Sequence, residues 1–133
     1  MGKTFDLLEV VKGVLDSAGI ANVFMSLPDA RIHPDVVVLG FGLTETETAF
    51  YDFDQMETYR ISVSVRMNDQ AAAERTALAI HDALQIGNFA SHNGSYEWDS
   101  STTDLPIPVP WDATGRFIWT VETRIKVIRK EWF

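Results

Sequence analysis

The chain has 133 residues, which suits one domain, and with 46% apolar and 23% charged residues its composition is ordinary for a globular core. With 19 acids against 11 bases the formal net charge is −8, which opposes binding to phosphate backbones or anionic membrane surfaces. Cysteine is absent, excluding disulfide frameworks, thiolate nucleophiles, zinc ribbons and iron–sulfur clusters.

The first residues, Met1-Gly2-Lys3-Thr4-Phe5-Asp6, lack the apolar run of a signal peptide and place Asp6 where a myristoylation motif takes Ser or Thr. The spacing predicts a helix from about Thr4 to Ala18, with Thr4 as N-cap and Gly19 as stop. Phe5, Leu8, Val11, Leu15 and Ala18 recur at helical period, and Leu7, Val10 and Val14 widen the stripe enough to pack on a sheet. Short strands are predicted at Asn22 to Leu27 and Asp35 to Gly40, separated by Pro28-Asp29 and Pro34. The run Val36-Val37-Val38-Leu39 does not alternate and reads as buried on both faces. The longest apolar stretch, Val36 to Leu43, is broken by glycine and far short of a membrane span, so a soluble, intracellularly made domain is expected. Residues 43–57 hold five acids (Glu45, Glu47, Asp52, Asp54, Glu57) and no base, and both a strand and an acidic loop stay open there.

The clearest strand is Tyr59 to Met67, where Tyr59, Ile61, Val63, Val65 and Met67 alternate with Arg60, Ser62, Ser64 and Arg66. Asn68 is the predicted cap of a second helix over about Asp69 to Ile86, with Gly87 as its C′ residue and Ala73, Ala77, Ile80 and Leu84 facing inward. Asn93-Gly94 is a type I′ hairpin signal that leads into a strand near Ser95 to Thr102. A proline-rich arm spans 103–116, and an alternating segment begins at Phe117. Fourteen residues of strand would reach ~46 Å, against a usual strand of about 5–6 residues. The expectation is that this segment bends at a bulge or sends one end out to pair elsewhere. The fold class expected is α+β: one domain over residues 1–133, with a largely antiparallel or mixed sheet of four to five strands and two helices packed on it.

Chemistry-bearing patterns are sparse. His81-Asp82 lacks a ligand three or four residues away and reads as an exposed polar face. Ser91-His92 reads as a hairpin shoulder and His33-Pro34-Asp35 as a turn entering a strand; there is no P-loop, GxGxxG or GxSxG. Asp52-Phe53-Asp54 could place two carboxylates on one strand face, with Glu57 or Glu47 as a third oxygen ligand, but the glycine and terminal Glu of a calcium loop are missing. Pro106, Pro108 and Pro110 read as a semi-rigid arm, and Tyr96, Trp98, Trp111, Trp119, Trp132 and Phe133 as core or interface aromatics. No catalytic, cofactor or metal residue is expected.

From Pro110 onward, Pro-Trp-Asp-Ala-Thr-Gly-Arg-Phe-Ile-Trp-Thr-Val-Glu-Thr-Arg-Ile-Lys-Val-Ile-Arg-Lys resembles the C-terminus of tail terminator (minor capsid) proteins of long-tailed phages and prophages. The pattern is a proline arm, Asp-x-x-Gly-Arg and an aromatic alternating last strand; Asp112, Gly115 and Arg116 fill it, and Trp111 stands where a polar or basic residue is expected. The order of the preceding elements is similar to the family as well. The resemblance implies a non-enzymatic protein of the virion tail, assembled in the host cytoplasm as a ring, usually a hexamer. Its partners would be other copies of itself, the tail-tube protein and the head connector, with DNA passing through the lumen.

Gly115 is expected to take a positive φ and Arg116 to hold a carboxylate, with Asp112 the nearest. Residues 116–133 carry five bases (Arg116, Arg124, Lys126, Arg129, Lys130) against Glu122 and Glu131. The two segments could satisfy each other within one chain; the length of the last strand favours instead a head-to-tail contact between the acidic segment (Glu45, Glu47, Asp52, Asp54) of one subunit and Arg124, Lys126 and Trp111 of the next. The alternatives are another neck or head–tail joining protein, a small metal- or ligand-binding protein using residues 45–57, and a module that binds through its proline arm.

Overall fold

A computed structural model describes residues 5–25, 35–49, 54–109 and 116–130, with backbone alone for 43–49, 54, 55 and 130. Helix α1 (Leu7–Ser17) begins after Asp6 rather than Thr4, which lies outside the described residues, and Gly19 ends it with φ 82° as predicted. Its buried side is Leu7, Val10, Val11 and Leu15; Ala18 lies past the last turn and is exposed.

Strand β1 (Val23–Phe24) is a two-residue parallel partner of β2 (Val36–Ala49). It starts later than predicted because Asn22 takes φ 59°, and its predicted end lies outside the described residues. Strand β2 does not stop at Gly40. It continues to Ala49 and returns as β3 (Asp54–Met67), so what is described of the acidic segment is strand. Threonine at 44, 46 and 48 supplies the β-branched residues that favour this. Helix α2 (Gln70–Gln85) is capped by Asp69 rather than Asn68, since Asp69 Oδ2 accepts the Ala72 amide at 3.2 Å.

Strands β4 (Tyr96–Thr103), β5 (Ile107–Val109) and β6 (Phe117–Lys130) complete a six-stranded sheet of order β1-β2-β3-β6-β4, with β5 also on β6. Among the described strand pairs only β1–β2 is parallel. All 14 residues of β6 pair with β3 in unbroken register, from Phe117↔Met67 to Lys130↔Asp54. The expected bend or departing end is therefore corrected: β3 is as long as β6 and pairs its whole length. The predicted hairpin at Asn93-Gly94 is corrected too. Gly94 alone takes a positive φ (77°), a type I′ turn needs two such residues, and no strand precedes it.

Both helices pack on one face of the sheet, where Val37, Leu39, Ile61, Val63, Val65, Val121, Ile125 and Val127 are buried with the helix stripes. Thr123, buried among them, shares its hydroxyl with Thr103 at 2.9 Å. The second face follows from register, because cross-strand partners share a face. Its rows read Val36–Arg66–Ile118–Val109, then Val38–Ser64–Thr120–Ile107, then Gly40–Ser62–Glu122, then Arg60–Arg124–Thr102.

Candidate functional site

The N-terminus of α1 is tied to a loop distant in sequence. Asp6 makes no side-chain cap to its own helix. Its carboxylate instead accepts Ser91 Oγ at 2.7 Å, the His92 amide at 2.9 Å and Ser95 Oγ at 3.1 Å. Burial pushes its pKa up, but the hydrogen bonds from Ser91, His92, Ser95 and Asn93 outweigh that and hold it below the ordinary 3.8. A depressed acid stabilises the fold above its unfolded pKa, and that contribution is lost as pH falls through the folded value. Asp6→Ala is expected to cost about 1–3 kcal/mol at pH 7, because hydrogen bonds to a charged group are lost. Urea titrations should show the wild-type advantage shrinking below about pH 4; an advantage unchanged at pH 2 would contradict the assignment.

At the same end of the sheet, Glu57 is buried and held by Arg129, whose Nε lies 2.8 Å from Oε1 while Nη2 donates to Oε2 at 3.3 Å. Tyr59 Oη donates to Glu57 Oε1 at 2.9 Å; burial first, then that carboxylate, pushes the phenol up to about 12. Phe5 stacks against Tyr59 (5.0 Å) and Tyr96 (5.5 Å), and the Arg129 guanidinium sits 5.9 Å from its ring centre. Tyr96 Oη donates to the Phe89 carbonyl, and burial raises its pKa strongly.

The expected interface charges lie on neighbouring strands of one chain. Glu45 is opposite Thr58, which is opposite Lys126, and Asp54 is opposite Lys130. Arg124 Nη2 donates to Asp104 Oδ1 at 2.9 Å, and Arg60 lies 3.8 Å from Glu122. Glu47 lies in β2 between Thr46 and Thr48, where the register shifts. Arg116 is buried. Asp52, Trp111, Asp112 and Gly115 lie outside the described residues, and so does the expected Gly115 turn. His81 departs from expectation: it is buried, with Nδ1 3.2 Å from Asp82 Oδ1, because α2 buries an arc that includes Ala77, Ile80, His81 and Leu84. Ser91 and His92 form the loop around Asp6 rather than a hairpin shoulder.

Two surfaces stand out. One is a groove of about 630 Å³ between α1 and the end of α2, lined by Val10, Gly13, Val14, Ala83, Ile86 and Gly87, with Ser91 and His92 at one end. The other is the arm, where Leu105, Ile107 and Val109 are exposed at alternate positions and Phe117 is exposed at the start of β6. Of these, sequence reasoning saw the arm and missed the groove. A glycine inside a helical run, Gly13, was the available signal. Among the described residues no three His, Asp or Glu side chains converge as a metal site, and no helix is long and apolar enough to cross a membrane.

A family model described as bacteriophage tail terminator protein matches residues 12–128. No curated protein matches the chain.

Proposed function

The chain belongs to the bacteriophage tail terminator family, and from that premise we propose that it closes the tail tube as a ring and offers the surface on which the head connector docks. A tail terminator is a structural protein of the phage tail, and its interactions are with other tail and head proteins. In this reading the ring is a hexamer assembled in the host cytoplasm, works without a cofactor, catalyses nothing and lets DNA pass through its lumen.

The observation that carries the reading is the family match across residues 12–128. A ring of identical subunits also needs two unlike surfaces on each chain, and the groove and the arm are unlike. The acidic residues Glu45, Glu47, Asp52 and Asp54 facing Arg124, Lys126 and Trp111 of a neighbour would give that contact its polar rim.

The test is to add the chain to growing tubes of the tube protein from the same phage and measure tube length by electron microscopy. Shorter, capped tubes are expected. Tubes of unchanged length would overturn the reading, and binding to the head connector without capping would make the chain a neck-joining protein instead. Arg124→Glu with Lys126→Glu is expected to weaken assembly, most visibly at low salt. It should cost the subunit itself about 1 kcal/mol or less, because the exposed Arg124–Asp104 pair is also lost. Light scattering alongside thermal unfolding separates the two effects.

A further inference from the structure

We propose that the groove between α1 and the end of α2 receives the Leu105–Val109 ridge of a second copy of this chain. This rests on the assembly reading above and names the surfaces that meet.

Gly13 is the first observation. It sits inside α1, where glycine weakens a helix, yet a Cβ there would meet nothing within 4 Å. The packing of the subunit itself does not call for it. The missing side chain instead opens the groove wall between Val10 and Val14. A local rule broken with no gain inside the fold marks a position kept for something outside it. On the same groove, Ile86 is left 86% exposed.

The ridge supplies the second. Leu105, Ile107 and Val109 are 73%, 64% and 40% exposed. Alternate residues of a strand stand about 6.6 Å apart on one face, so Ile107 and Val109 of β5 form a row, and Leu105 lies two residues before it. Pairing of β5 with β6, together with Pro106 and Pro108, holds the segment straight before it meets anything, which lowers the entropy lost on docking. A proline fits an edge strand only with its nitrogen turned away from the partner strand. The outer rim of β5 therefore lacks a donor at Pro108, and the ridge is poorly made for adding a further strand. Its adhesion has to come from side chains entering an apolar recess, and the groove is one, of a size typical for burying such groups.

Placement is the third. The groove lies in the helix layer, while Ile107 and Val109 share the second sheet face with Thr120 and Ile118. A contact between them joins unlike faces, which propagates from subunit to subunit and closes as a ring when the rotation permits.

The absence of cysteine makes the test direct. Gly13→Cys combined with Ile107→Cys puts thiols on opposite sides of the sheet, too far apart to bridge within one chain. Mild oxidation should give a ladder of linked oligomers on a non-reducing gel, with either single variant stopping at dimers. A double variant giving no species above dimer overturns the proposal.

Two further variants separate this outcome from failure of the assembly reading. Gly13→Leu fills the groove, and Ile107→Asp with Val109→Asp removes the ridge. Each alone should stay monomeric by light scattering without a lowered thermal midpoint, and an equal mixture of the two should stop at dimers. If both assemble as the wild type does, the docking proposal falls and the ring stands. If the wild type neither assembles nor caps tubes and the cysteine pair gives no ladder, both fall.

Discussion

Phe89→Ala is expected to destabilise the fold by about 3–5 kcal/mol, the range for emptying a buried aromatic site. Phe89 is fully buried although it lies in the connection between α2 and β4 rather than in a helix or strand. Its ring meets Trp98 edge-on at 5.7 Å, and its carbonyl accepts the Tyr96 hydroxyl. The side chain therefore pins the loop that surrounds Asp6, and truncation loosens the core and that loop together. Urea unfolding should show the midpoint falling with little change in slope. A loss below about 1 kcal/mol would mean that the connection is not packed as described, since such losses belong to surface positions.

Gly87→Ala is expected to be the next most damaging small change, at about 1–3 kcal/mol for forcing atoms into a filled site. A Cβ there would lie 2.9 Å from Phe89 Cζ, 3.0 Å from Val14 Cγ1 and 3.1 Å from the Ala83 carbonyl oxygen. The two side chains can give way, but the carbonyl belongs to the last turn of α2. Gly87 does follow the helix as its predicted C′ residue, yet for close approach rather than for a left-handed backbone, since its φ is not positive. Because Phe89 is one of the obstructing groups, Gly87→Ala with Phe89→Leu should cost less than the sum of the single changes. Gly13→Ala should have the opposite sign and raise the midpoint, because nothing stands in its way. Finding both glycines equally sensitive would remove the steric distinction between them.

Much of the fold was legible where one period repeats. The alternation from Tyr59 to Met67 and from Phe117 onward assigned faces correctly, because side chains of a strand point alternately whatever lies next to it. The two helices were legible from stripes of period 3.6, and the Pro-to-Lys130 stretch carried the family resemblance.

Other features depended on which distant residues meet. Residues 43–57 could not be assigned from their own acids and threonines. The described part, residues 43–49 and 54–57, extends as strand because β2, β3 and β6 have equal lengths of 14 residues. Asn93-Gly94 carries a hairpin signal that fails for want of a preceding strand. The bonds of Asp6 to Ser91 and Ser95 cross 85 and 89 residues, beyond the reach of any local pattern. The groove at Gly13 exists only once α1 and the end of α2 lie side by side. The sequence by itself determined faces, helices and family, since those follow from local periodicity and a contiguous motif. Tertiary structure decided strand extent, the seat of Phe89 and the groove between the helices, since each depends on the free energy of contacts formed between segments far apart in the chain.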